Sequence, residues 1–566
     1  MRNKRTGYSL LMILTFLFMN VSFTEAADIA AVSSPFPIAA TESKEFSQSM
    51  AFDETNYLVA IQDDVDVGDF ILSEITAQLI SPLGDLIGGR IVVPPVVPGD
   101  ACNYGPRPVA TGVTQHVAFD GTNYLMVWSD DCHYPDNDLA GQLIGADGSL
   151  IGSPFFVNQA EGRQESRGIK NLIFGGGKYL AVWQDGRNDT NYNRQCDSSE
   201  GSCTDIYGQL ISPSGVLVGT EIAISTGSEN QVVPSIGFDG TNYLAAYASR
   251  RSGDPERWDI YGQFVTTSGT LSGAPFVISE TPSSSFNAIG IAFDGTSYLV
   301  AWNRDIGLGY PNPTIWDIYG RMVSPAGTFP GNEFPITISP GDQVAPFIAF
   351  DGSNYFVAWS DLRNDLNDNW ICDINEGTCT DIYGQYVSRS GEMVGEEVVI
   401  NAEAGDQLDS PVLFAAGKYF VVWNNMDFDY TFSDVYGQFR AKTRFEESDP
   451  AISYIGAWSS YPCASCSGGA LKYSKQTNAR AEFSFDGTGI KWIVTKGPMM
   501  GKAKVYLDGV YKGLLDLYNA TTKYKQTLQA TGLASGSHTV AIEVSGQKNA
   551  NATDKIINID AFEVTP

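Results

Sequence analysis

Residues 292–302 read AFDGTSYLVAW. In the second half of this stretch the alternating sets Tyr298/Val300/Trp302 and Leu299/Ala301 are both apolar. A strand turns successive side chains to opposite faces, so this one is buried on both. The Phe-Asp-Gly-Thr-Ser-Tyr junction supplies a tight turn, the signature of a two-residue hairpin or a close variant. The same letters return as AFDETNYLVA at 51, AFDGTNYLMVW at 118, IFGGGKYLAVW at 173, GFDGTNYLAAY at 237, AFDGSNYFVAW at 349 and LFAAGKYFVVW at 413.

Each copy is followed by a second block. It reads DIYGQLISPSG at 205, DIYGQFVTTSG at 259, DIYGRMVSPAG at 317, DIYGQYVSRSG at 381 and DVYGQFR at 434. ITAQLISPLG and DLAGQLIGADG are weaker versions after the first two copies. A short apolar segment such as PFVIS (275–279) or FPITIS (334–339) closes the unit. Four antiparallel strands per unit, repeated seven times, predict an all-β fold of radially arranged sheets. The seventh unit lacks its last segment, and an orphan PFPIAA at 35–40 precedes the first. Residues 27–443 therefore resemble the seven-bladed β-propellers whose ring is latched by a strand from the opposite terminus. The resemblance implies architecture and says little about activity.

Letters present in nearly every repeat are read as scaffold. This covers Asp205, Asp259, Asp317, Asp381 and Asp434, with the Tyr and Gly that follow. Function is expected where the copies differ, chiefly in the loops between second and third strands. Those loops collect Asp63, Asp64, Asp66, Asp69, Asp130, Asp131, Asp185, Arg187, Asp189, Asp305, Asp361, Arg363, Asp365 and Asp368 on one face. Turn chemistry accounts for many of them. Calcium binding and paired carboxylates for glycoside cleavage are the functional rivals.

The chain of 566 residues carries a net charge of −30. The excess lies in residues 27–443, with 19 basic against 53 acidic residues, while 444–566 holds 13 against 11. Such a surface disfavours nucleic acid and suits cations or cationic partners, including another protein at the acidic face. Residues 1–26 have a basic start, an apolar run from Leu10 to Met19 and a small-residue exit. They read as a secretory signal, so a secreted or extracytoplasmic location is expected, with no membrane insertion. An oxidising destination makes the eight cysteines disulfide candidates. Cys196 with Cys203 and Cys372 with Cys379 can close local loops in the third and sixth repeats, and Cys102 can meet Cys132. No Gly-x-Ser-x-Gly, His-Glu-x-x-His or phosphate-loop motif occurs.

From residue 444 the composition shifts to period-two strands separated by Gly and Asp-Gly, predicting a β-sandwich over 444–566. Trp-Ser-Ser at 458, Phe-Asp-Gly-Thr-Gly-Ile-Lys-Trp at 485, Lys-Gly-Pro at 496, Val-Tyr-Leu-Asp-Gly at 505 and Ile-Asp-Ala-Phe-Glu-Val at 559 resemble galactose-binding-like jelly rolls. That resemblance implies carbohydrate binding. It also implies a structural calcium gripped by an early acidic residue and a late Asp, here Glu446, Glu447 and Asp560. Aromatic faces and polar donors for a sugar are offered by Trp458, Tyr511, Tyr518, Tyr524 and Lys496, while Trp492 alternates inside a strand and reads as core. Cys463 and Cys466 fit a local loop disulfide. Three functions follow: an exported recognition protein binding a cell-surface glycan, a polysaccharide-acting hydrolase or lyase with carboxylates on the repeat face, or a structural surface or matrix component.

Overall fold

The computed structural model describes residues 33–41, 43–66, 71–96, 115–133, 136–189, 203–252, 254–283, 288–305, 316–365, 379–403, 405–427 and 433–565. Residues 1–26, read above as a secretory signal, lie outside these residues, as do Cys102, Cys196, Cys372, Asp69 and Asp368 and the side chains of Asp66, Asp130, Asp131 and Cys132. The chain is all-β, with one three-residue 3-10 turn at Ser467–Gly469 and no α-helix among the described residues. Among the described residues no helix is long and apolar enough to cross a membrane.

Each repeat folds as an antiparallel sheet in chain order. The second is Gln115–Phe119, Asn123–His133, Asp136–Gly145 and Leu150–Asn158, and the fourth, fifth and sixth follow the same order. In the third the innermost strand is split into Gln164–Glu165 and Leu172–Gly175. The first and seventh sheets join through one parallel bridge between Lys44 and Ser433, so they count as one nine-stranded sheet. Innermost strands pack on their neighbours in cyclic order, and Val412–Ala415 closes the cycle against Lys44–Phe52.

The shared tyrosines make that cycle polar as well as apolar. All seven (Tyr57, Tyr124, Tyr179, Tyr243, Tyr298, Tyr355, Tyr419) are fully buried. Each hydroxyl donates to the preceding sheet: Tyr124 to the Asn56 carbonyl at 3.1 Å, Tyr179 to Asn123 at 2.9 Å, Tyr355 to Ser297 at 2.7 Å. Tyr57 reaches back to the Ala415 carbonyl at 3.1 Å, joining first sheet to seventh. Each such bond contributes about 0.5–1.5 kcal/mol, which Phe would forgo.

The Asp-Gly turns are four-residue loops. Phe119 pairs with Tyr124, and Asp120 Oδ1 accepts from the Thr122 and Asn123 amides at 2.7 Å. Where the sequence has Gly-Gly or Ala-Gly, the loop is the two-residue kind, as at Gly176 and Gly177, both at positive φ. The glycine of Ile-Tyr-Gly-Gln is a packing requirement: a Cβ on Gly262 would lie 2.7 Å from the Phe276 ring.

The missing strand of the seventh sheet is supplied by Phe36–Ala39, antiparallel to Ser433–Ala441. Phe36 faces Gly437 and Pro37 faces Tyr436, with a bulge before Ala39. Within the fifth sheet Phe334 faces Gly320 and Pro335 faces Tyr319, with a bulge at the same place. The two Phe-Pro-Ile segments therefore occupy the same seat in the same register. Ile38 is 3 % exposed among Tyr57, Val59, Phe420, Val422 and Phe439.

Residues from Arg444 onward form sheets of five, four and three strands, rather than two simple layers. Their core gathers Phe483, Ile490, Trp492, Val494, Val540, Ile542 and Phe562. This unit touches the repeats through Lys442, whose ammonium lies 3.0 Å from Asp351 and 2.6 Å from Asp449, all three buried.

Candidate functional site

The acidic loop residues are mostly internal. Asp63 accepts from Thr76 at 2.7 Å and pairs with Arg90 at 2.7 Å; Asp64 accepts from Gln62 and Ser73. Asp185 receives the Trp183 indole N–H at 2.9 Å and a bidentate Arg187, which also pairs with Glu221 and lies over the Tyr207 ring at 4.0 Å. Asp361, Arg363, Glu397 and Tyr383 repeat that set in the sixth sheet. An open carboxylate face was the expectation; these side chains instead tie strand ends together, because each lies beside a donor within its own sheet: a guanidinium for Asp63, Asp185 and Asp361, an amide and a hydroxyl for Asp64. Asp317 differs: neither of its oxygens accepts a hydrogen bond, and burial with Asp342 nearby pushes its pKa up to about 6 against the opposing pull of Arg304. It is fully buried and offers no face to a ligand.

A cavity of about 140 Å³ opens where the third sheet departs from the pattern. Arg163, Glu165, Arg167, Gln184, Asp189, Thr204 and Asn230 line it, beside disulfide-bonded Cys203. Glu165 pairs with Arg167 at 3.1 Å. Two carboxylates, two guanidiniums and neutral amides around one small void are the groups that bind sugar hydroxyls, and two carboxylates can serve acid–base work. Arg163, Glu165 and Arg167 were not foreseen from sequence. The available signal was the segment QESRGIK, which departs from its counterparts QVVPSIG at 231 and QVAPFIA at 343.

Cys463 and Cys466 form a disulfide, as expected of that spacing, with a Cα–Cα separation of 5.3 Å. Cys203 and Cys379 are disulfide-bonded, and their expected partners lie outside the described residues. The proposed sugar-contacting residues do not converge on one patch through any described contact. Trp458 packs edge-on against Tyr454 at 5.2 Å and against the core. Tyr511 is exposed beside Tyr506. Tyr518 bridges to Gly497, next to Lys496, and Lys496 pairs in register with Lys523, next to exposed Tyr524. Lys496, Tyr518 and Tyr524 thus belong to neighbouring backbone positions, while Trp458 and Tyr511 lie elsewhere. Trp492 is core.

Glu446, Glu447 and Asp560 are all buried. Arg444 donates to Glu446 at 3.1 Å, and the Ser467 amide donates to Asp560 at 2.8 Å. One oxygen of Glu446 and one of Asp560 have no partner. Burial, then the neighbouring Glu446, raises Asp560 to about 8 and Glu447 to about 7. Among the described residues no three His, Cys, Asp or Glu side chains are arranged to chelate a metal together. The cluster is short of positive charge rather than preformed around an ion.

No protein-family model matches the sequence. The A type blood N-acetyl-alpha-D-galactosamine deacetylase of Flavonifractor plautii is 34% identical over 97 residues, 17% of this chain and 13% of that protein. The A type blood alpha-D-galactosamine galactosaminidase of the same organism is 34% identical over 100 residues, 18% of this chain and 9% of that protein. The chain thus spans about a tenth of the length of these curated relatives. Solved structures similar to it include the exo-beta-1,3-galactanase of Phanerochaete chrysosporium with galactose, at 12% identity, TM-score 0.28, covering 93% of this chain and 96% of that one. Another is the Penicillium chrysogenum alpha-L-arabinanase complexed with arabinobiose, at 11% identity, TM-score 0.39, covering 62% and 96%.

Proposed function

We propose that this chain is an exported glycan-acting protein of the glycoside hydrolase kind. In this reading residues 27–443 are a seven-bladed β-propeller and 444–566 a galactose-binding-like jelly roll that holds the substrate. The observation that carries it is the pair of curated relatives, both named for the A type blood amino sugar. The polar cavity of the third sheet supports a catalytic role, with Glu165 and Asp189 as the carboxylates and Arg163 and Arg167 as hydroxyl-binding groups. A non-catalytic binding reading is favoured by one specific fact. The relatives are named for two different reactions on the same amino sugar, and stretches of 97 and 100 residues of this chain resemble them, which suits a shared glycan contact. Lys496, Tyr518 and Tyr524 are the side chains assigned to hold it.

Two measurements test these readings. On a glycan array the intact protein is expected to bind glycans ending in galactosamine or N-acetylgalactosamine, with Tyr524→Ala lowering affinity about tenfold, the scale of a lost aromatic stacking face. Bound glycans should yield new reducing ends, lost in Glu165→Gln or Asp189→Asn. Binding without cleavage would leave the recognition function; no binding would overturn both. Calcium is proposed at Glu446 and Asp560, whose unpartnered oxygens suit a hard cation. Adding millimolar calcium to chelator-treated protein should raise the melting temperature by several degrees, and Asp560→Asn should abolish that rise.

A further inference from the structure

A void lies along the axis of the sheet cycle. It measures about 320 Å³ and is walled by apolar inner-strand residues, among them Phe238, Phe293, Phe350, Phe414, Ile291 and Leu413. A volume of this size accommodates a small organic molecule. One cation lines it. Lys170 belongs to the segment that interrupts the inner strand of the third sheet, between Gln164–Glu165 and Leu172–Gly175. Gly168 lets this segment bulge against the Pro234 carbonyl, and the Lys170 carbonyl accepts from the Ile236 amide at 2.9 Å. Bulges re-aim side chains, and here the result is a lysine on the wall of the cavity.

No hydrogen bond or ion pair of the Lys170 ammonium exists among the described residues. Burial alone lowers its pKa, with no carboxylate acting on it. Asp409 is held by Gln48 at 3.1 Å and Asn424 at 3.2 Å instead. The cavity therefore combines an aromatic and aliphatic wall with a single uncompensated positive charge. A neutral sugar would find too few donors and acceptors there to replace its water, so this is no second glycan site. The ammonium is partly buried at the cavity wall, placed to meet an anion that enters there.

We propose that the axial cavity binds a small apolar carboxylate, its carboxylate on the Lys170 ammonium and its hydrocarbon body against the phenylalanines. The site is independent of the glycan reading. It is tested on the full chain by titration calorimetry with benzoate, 2-naphthoate and decanoate, and with neutral 2-naphthamide as the charge-free control. At least one carboxylate should bind one to one, with 2-naphthamide at least tenfold weaker than 2-naphthoate if the latter binds. Lys170→Met should weaken the carboxylate at least tenfold. Because that variant changes a buried position, a second readout uses the unaltered protein. The bound carboxylate should slow reductive methylation of Lys170, read by peptide mass, at least fivefold relative to exposed lysines such as Lys475. Failure of all three acids to bind, equal binding of acid and amide, or unchanged Lys170 labelling would each overturn the proposal.

Discussion

Lys442→Met is expected to destabilise the chain by about 3–5 kcal/mol, the scale for breaking a buried ion pair from one side. The ammonium sits between Asp351 at 3.0 Å and Asp449 at 2.6 Å, donates to the Asp351 carbonyl at 2.9 Å and lies near the Phe414 and Phe445 rings. Its removal leaves two carboxylates buried with no cation between them. Asp351 would keep the Tyr419 hydroxyl at 2.6 Å, and Asp449 the Ser353 hydroxyl at 2.6 Å, but neutral donors do not replace a charge. Asp351 also caps its turn through the Ser353 and Asn354 amides, so loss of this triad loosens the sixth sheet together with the carboxyl-terminal unit. Adding Asp351→Asn and Asp449→Asn to Lys442→Met should restore most of the loss, because an amide oxygen keeps the acceptor role without the charge. Denaturant unfolding of the single and triple variants measures both effects. A single variant within 1 kcal/mol of the parent would mean that the triad contributes little.

Much of this architecture is legible in the letters. Strands buried on both faces show as continuous apolar runs, and the seven Tyr positions give the period directly. The Phe-Pro-Ile segment at 36–38 matches 334–336 letter for letter, and the two take the same register. The candidate site was much less legible, for two physical reasons. Acidic residues look available in a sequence because it does not show how they pair: Arg90 is 27 residues from Asp63, and even Arg187, two residues from Asp185, closes on it only through the turn the fold sets. The second reason is that the search for individuality went to the loops. Arg163, Glu165, Arg167 and Lys170 all come from an irregular inner strand instead, where a bulge changes what faces the cavities. QESRGIK departs from its counterparts QVVPSIG and QVAPFIA, and that mismatch was the written trace.

The second large effect concerns Ile38. Ile38→Asp should cost about 3–5 kcal/mol or more, since it removes a packed side chain and buries an unpaired carboxylate against Phe420, Val435 and Phe439. The same change at exposed Ile338, only two residues past the matching Phe-Pro-Ile, should cost under about 0.5 kcal/mol. Ile38 Cδ1 stands 2.8 Å from where a Cβ on Gly437 would lie, as Ile336 Cδ1 stands 3.0 Å from that of Gly320. The contact is therefore of the same kind as an ordinary fourth strand makes, although its two halves are nearly 400 residues apart. Since the closing strand joins the first sheet to the last, the loss should spread to the Tyr57–Ala415 bond rather than stay local.

Hydrogen exchange followed by mass spectrometry tests that closure most directly. Peptides covering 33–40 and 433–441 should exchange together, at the rate of global opening, and removing residues 33–40 should strip protection from 433–441. Exchange of 36–39 within seconds, while 433–441 stays protected, would contradict it.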